Sequence, residues 1–310
     1  MFSEDVLTRL SQLNQQRRPA AREAGSQTER APSTDNLSDI ATGDSVAGDQ
    51  DVAQLPPGEE VTYRWGSHWS RRRALSDIWP HGDQWLNHAM VRLDQCRAEP
   101  PTTRSRELRA MWTNLPDHVV YLDLETCGFA GSMVFLVGLI HRRDSQFQLA
   151  QLMARNYAEE KAMLQTLWSI AAENGVLVTF NGKSFDWPMV HDRSTIHHLG
   201  CDLRALPDKK CTDRVDPLTA ADMQALTRDD PRPELIHCDL LHHSRRRWKG
   251  KLPDCKLQTL ERHICRRHRT DDIPGREIPS AYHDYVRSGD AWLIRSVLHH
   301  NALDLVTLLQ

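Results

Sequence analysis

The chain has 310 residues, with 39 Lys and Arg against 42 Asp and Glu, a formal net charge of −3. That length holds one or two domains, and that balance excludes a globally basic nucleic-acid binder, so any attraction to phosphate must be local. No apolar run reaches the roughly 18 residues of a membrane span, the opening MFSEDVLTRLSQ is not a secretory signal, and the seven cysteines form no C-x-x-C; this reads as a cytoplasmic chain with free thiols and no membrane partner.

Residues 1–60 are rich in Gln, Arg, Ser, Asp, Thr and Ala and nearly lack aromatics. Such a composition buries too little apolar surface to offset chain entropy, so a disordered tail is expected, with a short amphipathic helix at 3–16. Residues 61–116 form a tryptophan-rich extension carrying Trp65, Trp69, Trp79, Trp85 and Trp112 beside Arg71, Arg72 and Arg73. Aromatics interleaved with arginine can stack bases; the preferred reading is anchors that pack the extension onto the following domain.

The domain proper spans 117–310. VVYLDLETCGF starts with strand-forming residues and stops at Gly128, MVFLVGLI (133–140) and QFQLAQLM (146–153) complete a meander, YAEEKAMLQTLWSIAAE (157–173) is an amphipathic helix, VLVTF is a fourth strand and ELIHCDLL (234–241) a fifth. The predicted fold is α/β, a mixed five-stranded sheet flanked by helices. The stretch 191–233 is long for a connection. Its His197, His198, Cys201 and Cys211 have irregular spacing for zinc, and a surface insertion is the preferred reading.

Chemistry concentrates in four acids. On an extended strand Asp123 and Glu125 leave the same face. Asp186 falls in the first turn of a helix that starts near Ser184, after the turn NGKS. Asp304 lies on the last helix, AWLIRSVLHHNALDLVTLLQ, and shares a face with His300 at i−4. Carboxylates gathered on apolar elements repel and lose hydration. A divalent cation is the simplest compensation, and oxygen-only ligands suit Mg2+ or Mn2+ over zinc.

The order and context of these segments resemble the DEDD superfamily of 3′→5′ exonucleases, and within it the YprB-type RNase H-like domain. The stretches that carry the resemblance are YLDLETCGF, SMVFLVGLI, FNGKSFDWPMV, HCDLLHHSRRRWKGKLPDCKLQTLERHI, DDIPGREIPSAYHDYVRSGD and HHNALDLVTL. They run from about residue 117 to the end and leave the first 60 residues uncovered. The resemblance implies an RNase H-like fold, two Mg2+ or Mn2+ ions held by Asp123, Glu125, Asp186 and Asp304, and hydrolysis of single-stranded DNA or RNA to nucleoside 5′-monophosphates. It also implies a general base just before the last Asp: one subgroup has His five positions before it, which here is His299, and another has Tyr four before, which here is His300. Helix geometry favours His300. Cys127 stands where the family more often has Thr.

Around this core, 237–269 holds ten Lys or Arg against three acids, a local balance of about +7, with Arg245, Arg246, Arg247, Lys249 and Lys251 clustered beside Trp248. Such a patch can hold a nucleic-acid backbone. Arg246 and Arg247 are the candidates there, and Asn181 and Lys183 of the NGKS turn either contact the strand or shape the turn. Asp239 is read as a helix cap. Two other classes stay open: an RNase H-like endonuclease, and a non-catalytic nucleic-acid-binding module.

Overall fold

The computed structural model describes residues 54–79, 81–97, 105–128, 131–199, 235–270 and 272–310. Nearly all of the expected tail, and the 191–233 insertion beyond Leu199, lie outside the described residues. Gln54–Glu60 of the expected tail are described, and Glu59 and Glu60 already belong to a strand.

Seven strands form one mixed sheet: β1 (Glu59–Tyr63), β2 (Gly66–Ala74), β3 (Val119–Thr126), β4 (Val134–Arg143), β5 (Gln146–Met153), β6 (Val176–Thr179) and β7 (Ile236–Asp239), in the spatial order β1-β2-β5-β4-β3-β6-β7. All five expected strands are present. The two further strands come from the tryptophan-rich extension and continue the sheet antiparallel beyond β5. Sequence gave little sign of them, because β2 reads GSHWSRRRA and its arginines mask the alternation. The β3–β4–β5 meander is antiparallel, while β6 and β7 add parallel to the other edge of β3. The fifth expected strand is shorter than its apolar run, since Leu240 already starts a helix.

The helices are α1 (Gly82–Arg97), α2 (Arg106–Asn114), α3 (Glu160–Ala172), α4 (Asp186–Ile196), α5 (Leu240–Trp248), α6 (Leu257–His263), α7 (Ile278–Ser288) and α8 (Trp292–Leu309). Alternation along β3 splits the core into two apolar layers. Val120, Leu122 and Leu124 pack with Met163, Leu164, Leu167 and Trp168 of α3 and with Tyr282 of α7. Val119 and Tyr121 pack on the other face with Ala110 of α2 and with Ala302, Leu305 and Val306 of α8. Trp69 and Trp79 of the extension are buried in these layers, so there the tryptophans serve as anchors. No helix among the described residues is long and apolar enough to cross a membrane.

Two polar devices sit inside the apolar layers. Glu160, fully buried at the start of α3, accepts from the Val134 amide at 2.8 Å, from Arg193 of α4, and pairs with His197 at 2.7 Å. Those bonds tie α3, β4 and the end of α4 together, and they give His197 a structural partner. The second device is a row across the sheet. Asp123, Gly138 and Gln151 stand side by side on β3, β4 and β5, and Asn301 of α8 lies over them. A side chain on Gly138 would bring its Cβ to 2.1 Å from Asn301 Oδ1, so only glycine lets α8 approach the sheet there. Asn301 Oδ1 accepts from Gln151 Nε2 at 3.1 Å, and its amide donates to Asp123 Oδ2 at 2.9 Å.

Gly138→Ala is expected to lower stability by about 1–3 kcal/mol through this overlap. Paired with Asn301→Ala the losses should fall short of additive, since the second change removes what the first collides with; chemical denaturation of the four proteins checks it, and full additivity would mean that α8 does not rest on Gly138.

A second expectation concerns acid. Burial, then Arg143 and Arg72, push His141 down to about 4, and burial, then Lys183, push His237 down to about 4. In the unfolded chain both titrate near 6.5. Between those values the unfolded state binds the extra protons, so stability is full above about pH 6.5 and falls as pH drops toward 4. Urea midpoints of wild type and His141→Gln across this range should converge at low pH; parallel curves would contradict a buried neutral His141.

Candidate active site

The apolar face of β3 turns acidic at its C-terminal half. Val119 and Tyr121 are buried under α8, and the next two side chains on that face are Asp123 and Glu125. Burial and the charges of Asp304, Glu125 and Asp186 raise Asp123 well above the usual carboxylate range, against the Asn301 hydrogen bond. Burial pushes Glu125 up to about 8; His300 opposes the rise, while Asp304 and Asp186 add to it. Asp186, the first residue of α4, is pushed up to about 7 by burial and then by Asp239 and Asp304. The four predicted acids therefore act on one another across three elements, as like charges do when brought to one place.

Asp304 and His300 share a face of α8, with His300 Nε2 3.5 Å from Asp304 Oδ2. The other ring nitrogen, Nδ1, lies 2.8 Å from Asp272 Oδ1. Burial alone would lower His300, but the bond to Asp272 and the charges of Asp304 and Glu125 outweigh it and raise the imidazole. Burial lowers the half-buried His299 instead. Arg269 donates to Asp304 and, at 3.2 Å, to Asp272. Its Nε is 2.6 Å from Glu261, which also binds Arg267 at 2.6 Å, and Arg267 reaches Thr307 of α8.

Arg267 and Arg269 are thus buried in ion pairs rather than part of a solvent-facing basic patch. The sequence pattern could not separate them from Arg266, which sits at a positive φ of 52° beside them. Arg246 and Arg247 are exposed on α5; Arg247 lies over the ring of Trp248, 5.4 Å from its centroid, as does Lys251 at 5.9 Å.

The turn that delivers Asp186 is pinned from below. Asp239, fully buried at the end of β7, caps α5 through the Leu241 amide at 3.0 Å and also accepts from the amides of Asn181 at 2.8 Å and Lys183 at 3.1 Å. Asn181 adopts a φ of +68°, which Asn tolerates better than most residues. Gly182 lies so close to Thr179 that a Cβ would stand 2.4 Å from its hydroxyl. Lys183 reaches Glu107 of α2 at 2.5 Å, and His243 reaches the other oxygen of Glu107 at 3.1 Å. Glu107, Cys238 and His243 form a possible metal-binding group, their donor atoms within 4.8 Å of one another. Burial pushes the Cys238 thiol up to about 12, and Lys183 already supplies Glu107 with a positive charge.

Asn301, Gly138, Gln151, Asp272 and Phe185 were not singled out from sequence, and Arg269 was read only as a minor member of the basic stretch. H-N-x-x-D holds Asn301 in plain view, yet its bond to Asp123 depends on a glycine 163 positions earlier in the chain. Asp272 gave no local sign. Phe185, 65% exposed immediately before Asp186, could have been found as an aromatic beside a candidate ligand. As a cation site the four-acid centre has the right donors: carboxylate oxygens only, with the Arg269 guanidinium and the His300 ring beside them.

Comparisons with known proteins bear on the family of the chain. A model of the RNase_H_2 family, in the RNase H superfamily, matches residues 120–310. The uncharacterized protein YprB of Bacillus subtilis (strain 168) is 30% identical over 196 residues, which cover 62% of this chain and 40% of that relative; the chain thus spans well under half of the relative's length. A solved family B DNA polymerase from the hyperthermophilic archaeon Pyrobaculum calidifontis aligns with 62% of this chain and 24% of its own, at 15% identity and a TM-score of 0.43, too slight a likeness to argue from. With more than half of its length matched by the family, from β3 through the end of α8, the chain belongs to the RNase_H_2 family of the RNase H superfamily.

Proposed function

We propose that the chain is a metal-dependent 3′→5′ exonuclease that hydrolyses single-stranded DNA or RNA to nucleoside 5′-monophosphates. The observation that carries the reading is the mutual charge repulsion of Asp123, Glu125, Asp186 and Asp304 next to a histidine oriented by its own carboxylate. These four acids would hold two Mg2+ or Mn2+ ions, which when bound lower the pKa of a water and stabilise the leaving 3′ oxygen.

The chain's own groups fill the remaining roles. An ionised Asp272 accepts only, so the proton on His300 sits at Nδ1 and the lone pair at Nε2 faces Asp304. Nε2 takes the proton of the attacking water, and Asp272 stabilises the imidazolium that results. Asn301 fixes the rotamer of Asp123, and Arg269 holds Asp272 and Asp304 in register. Phe185 offers an open ring on which the terminal base can stack. Asn181, Lys183, Arg246 and Arg247 lie on the turn and on α5 that lead away from the acids, and would track the phosphate backbone. Free thiols at Cys127, Cys238, Cys255 and Cys265 fit a cytoplasmic setting.

End-labelled single strands test the reaction class: mononucleotides are expected as first products, and internal fragments would make the protein an endonuclease. Cleavage should stop in excess EDTA and return with Mg2+ or Mn2+. Asp123→Ala or Asp186→Ala should abolish it while leaving the metal-free protein as stable as wild type or more so, because repulsion is relieved. Turnover that persists in chelator would refute the metal role.

The proton path gives a separate expectation. His300→Ala should lose about 10²–10⁴-fold in rate, and His299→Ala much less. Asp272→Asn should lower kcat with little change in KM, since it touches the base and not the strand. A reversed order of the two histidine variants would assign the base to His299.

A further inference from the structure

An open pocket of about 500 Å³ lies between α2, the turn after β6, and α5. Its walls carry Arg106 and Glu107 of α2, Lys183 of the turn, and His243 and Arg246 of α5. Three cations thus stand against one carboxylate, a surplus of two with the histidines neutral. Glu107 is engaged by Lys183 at 2.5 Å and by His243 at 3.1 Å, so it fixes two donors at the pocket wall. Ser105, which also lines the pocket, caps the N-terminus of α2, and the first turn of a helix carries partial positive charge. These features come from three separate elements and share one sign.

We infer that this pocket is a phosphate subsite for the nucleic-acid strand, built jointly by the tryptophan-rich extension and α5. The inference rests on the proposed nuclease function and deepens it. Its basis is connectivity: Lys183 on the pocket wall and Asp186 among the acids are three residues apart, at most about 11 Å along the chain. A strand with its scissile phosphate at the acids therefore has a neighbouring phosphate within reach of the pocket. A divalent cation at Glu107, Cys238 and His243 is the competing occupant. The surplus of cations around it, with an ammonium already on Glu107, favours the anion.

The test uses the full chain in EDTA, with a fluorescent single-stranded oligonucleotide, and measures affinity across a salt series. Arg106→Gln with Arg246→Gln should flatten the slope of log affinity against log salt by about 0.7 per lost contact, about 1.4 in all. Arg246→Gln alone, on an exposed side chain, should give half of that and guards against misfolding of the double variant. Arg276→Gln, an exposed arginine outside the pocket, should leave the slope as in wild type. An unchanged slope in the pocket variants, or an equal loss in Arg276→Gln, overturns the proposal. A melting temperature raised by inorganic phosphate in wild type only, with oligonucleotide slopes unchanged, also overturns it, since the pocket would then take a small anion and not the strand. A rise with Zn2+ that Glu107→Gln abolishes would assign the pocket to a metal. If wild type binds the oligonucleotide with the expected slopes but never cleaves it in Mg2+, the subsite stands and the nuclease function fails.

Discussion

Like charge held in a half-buried place is the constraint around which this molecule is arranged. Burial, and after it the charges of neighbouring acids, raise the proton affinity of Asp123 and Glu125 on β3 and of Asp186 at the start of α4, with Asp304 on α8 among those neighbours in each case. An isolated carboxylate in such surroundings would neutralise. The fold counters the repulsion with a short list of contacts: the Asn301 amide on Asp123, the Arg269 guanidinium on Asp304, and the protonatable His300 between Asp304 and Asp272. Each depends on something behind it. Asn301 needs the missing side chain of Gly138, and Arg269 needs Glu261, which is shared with Arg267.

That dependence explains which parts of the site could be read in the sequence. Asp123 and Glu125 were visible because a strand alternates, and Asp186 because an apolar strand, a glycine turn and a helix start follow one another. His300 and Asp304 were visible because four residues make about one helical turn. All of these are local periodicities. Asp272 lies in a connection with no period at all, and its partner His300 is 28 positions away. The row Asp123–Gly138–Gln151 is set by strand register, which no short window of sequence reveals.

The fold divides in the same way. The meander, the two later strands, and the helices α3, α4 and α8 were expected where they lie. β1 and β2 were not, since the arginines of β2 hide its pattern, and its pairing with β1 on one side and β5 on the other defines the strand. The basic stretch 237–269 shows the converse error. Its composition counted every arginine alike, yet Arg267 and Arg269 lie buried against Glu261 while Arg246 and Arg247 face solvent. Charge counted along a chain says nothing of direction, and direction separates the groups that hold the site together from those that can meet a substrate.

Metal binding tests the account most directly, free of any assumption about substrate. Calorimetric titration of Mn2+ into the metal-free full chain should show saturable binding that Asp123→Asn and Asp304→Asn each weaken strongly and Glu107→Gln leaves in place. Absence of binding, or binding that survives both aspartate changes and disappears with Glu107→Gln, would contradict the claim that the four acids form a cation centre.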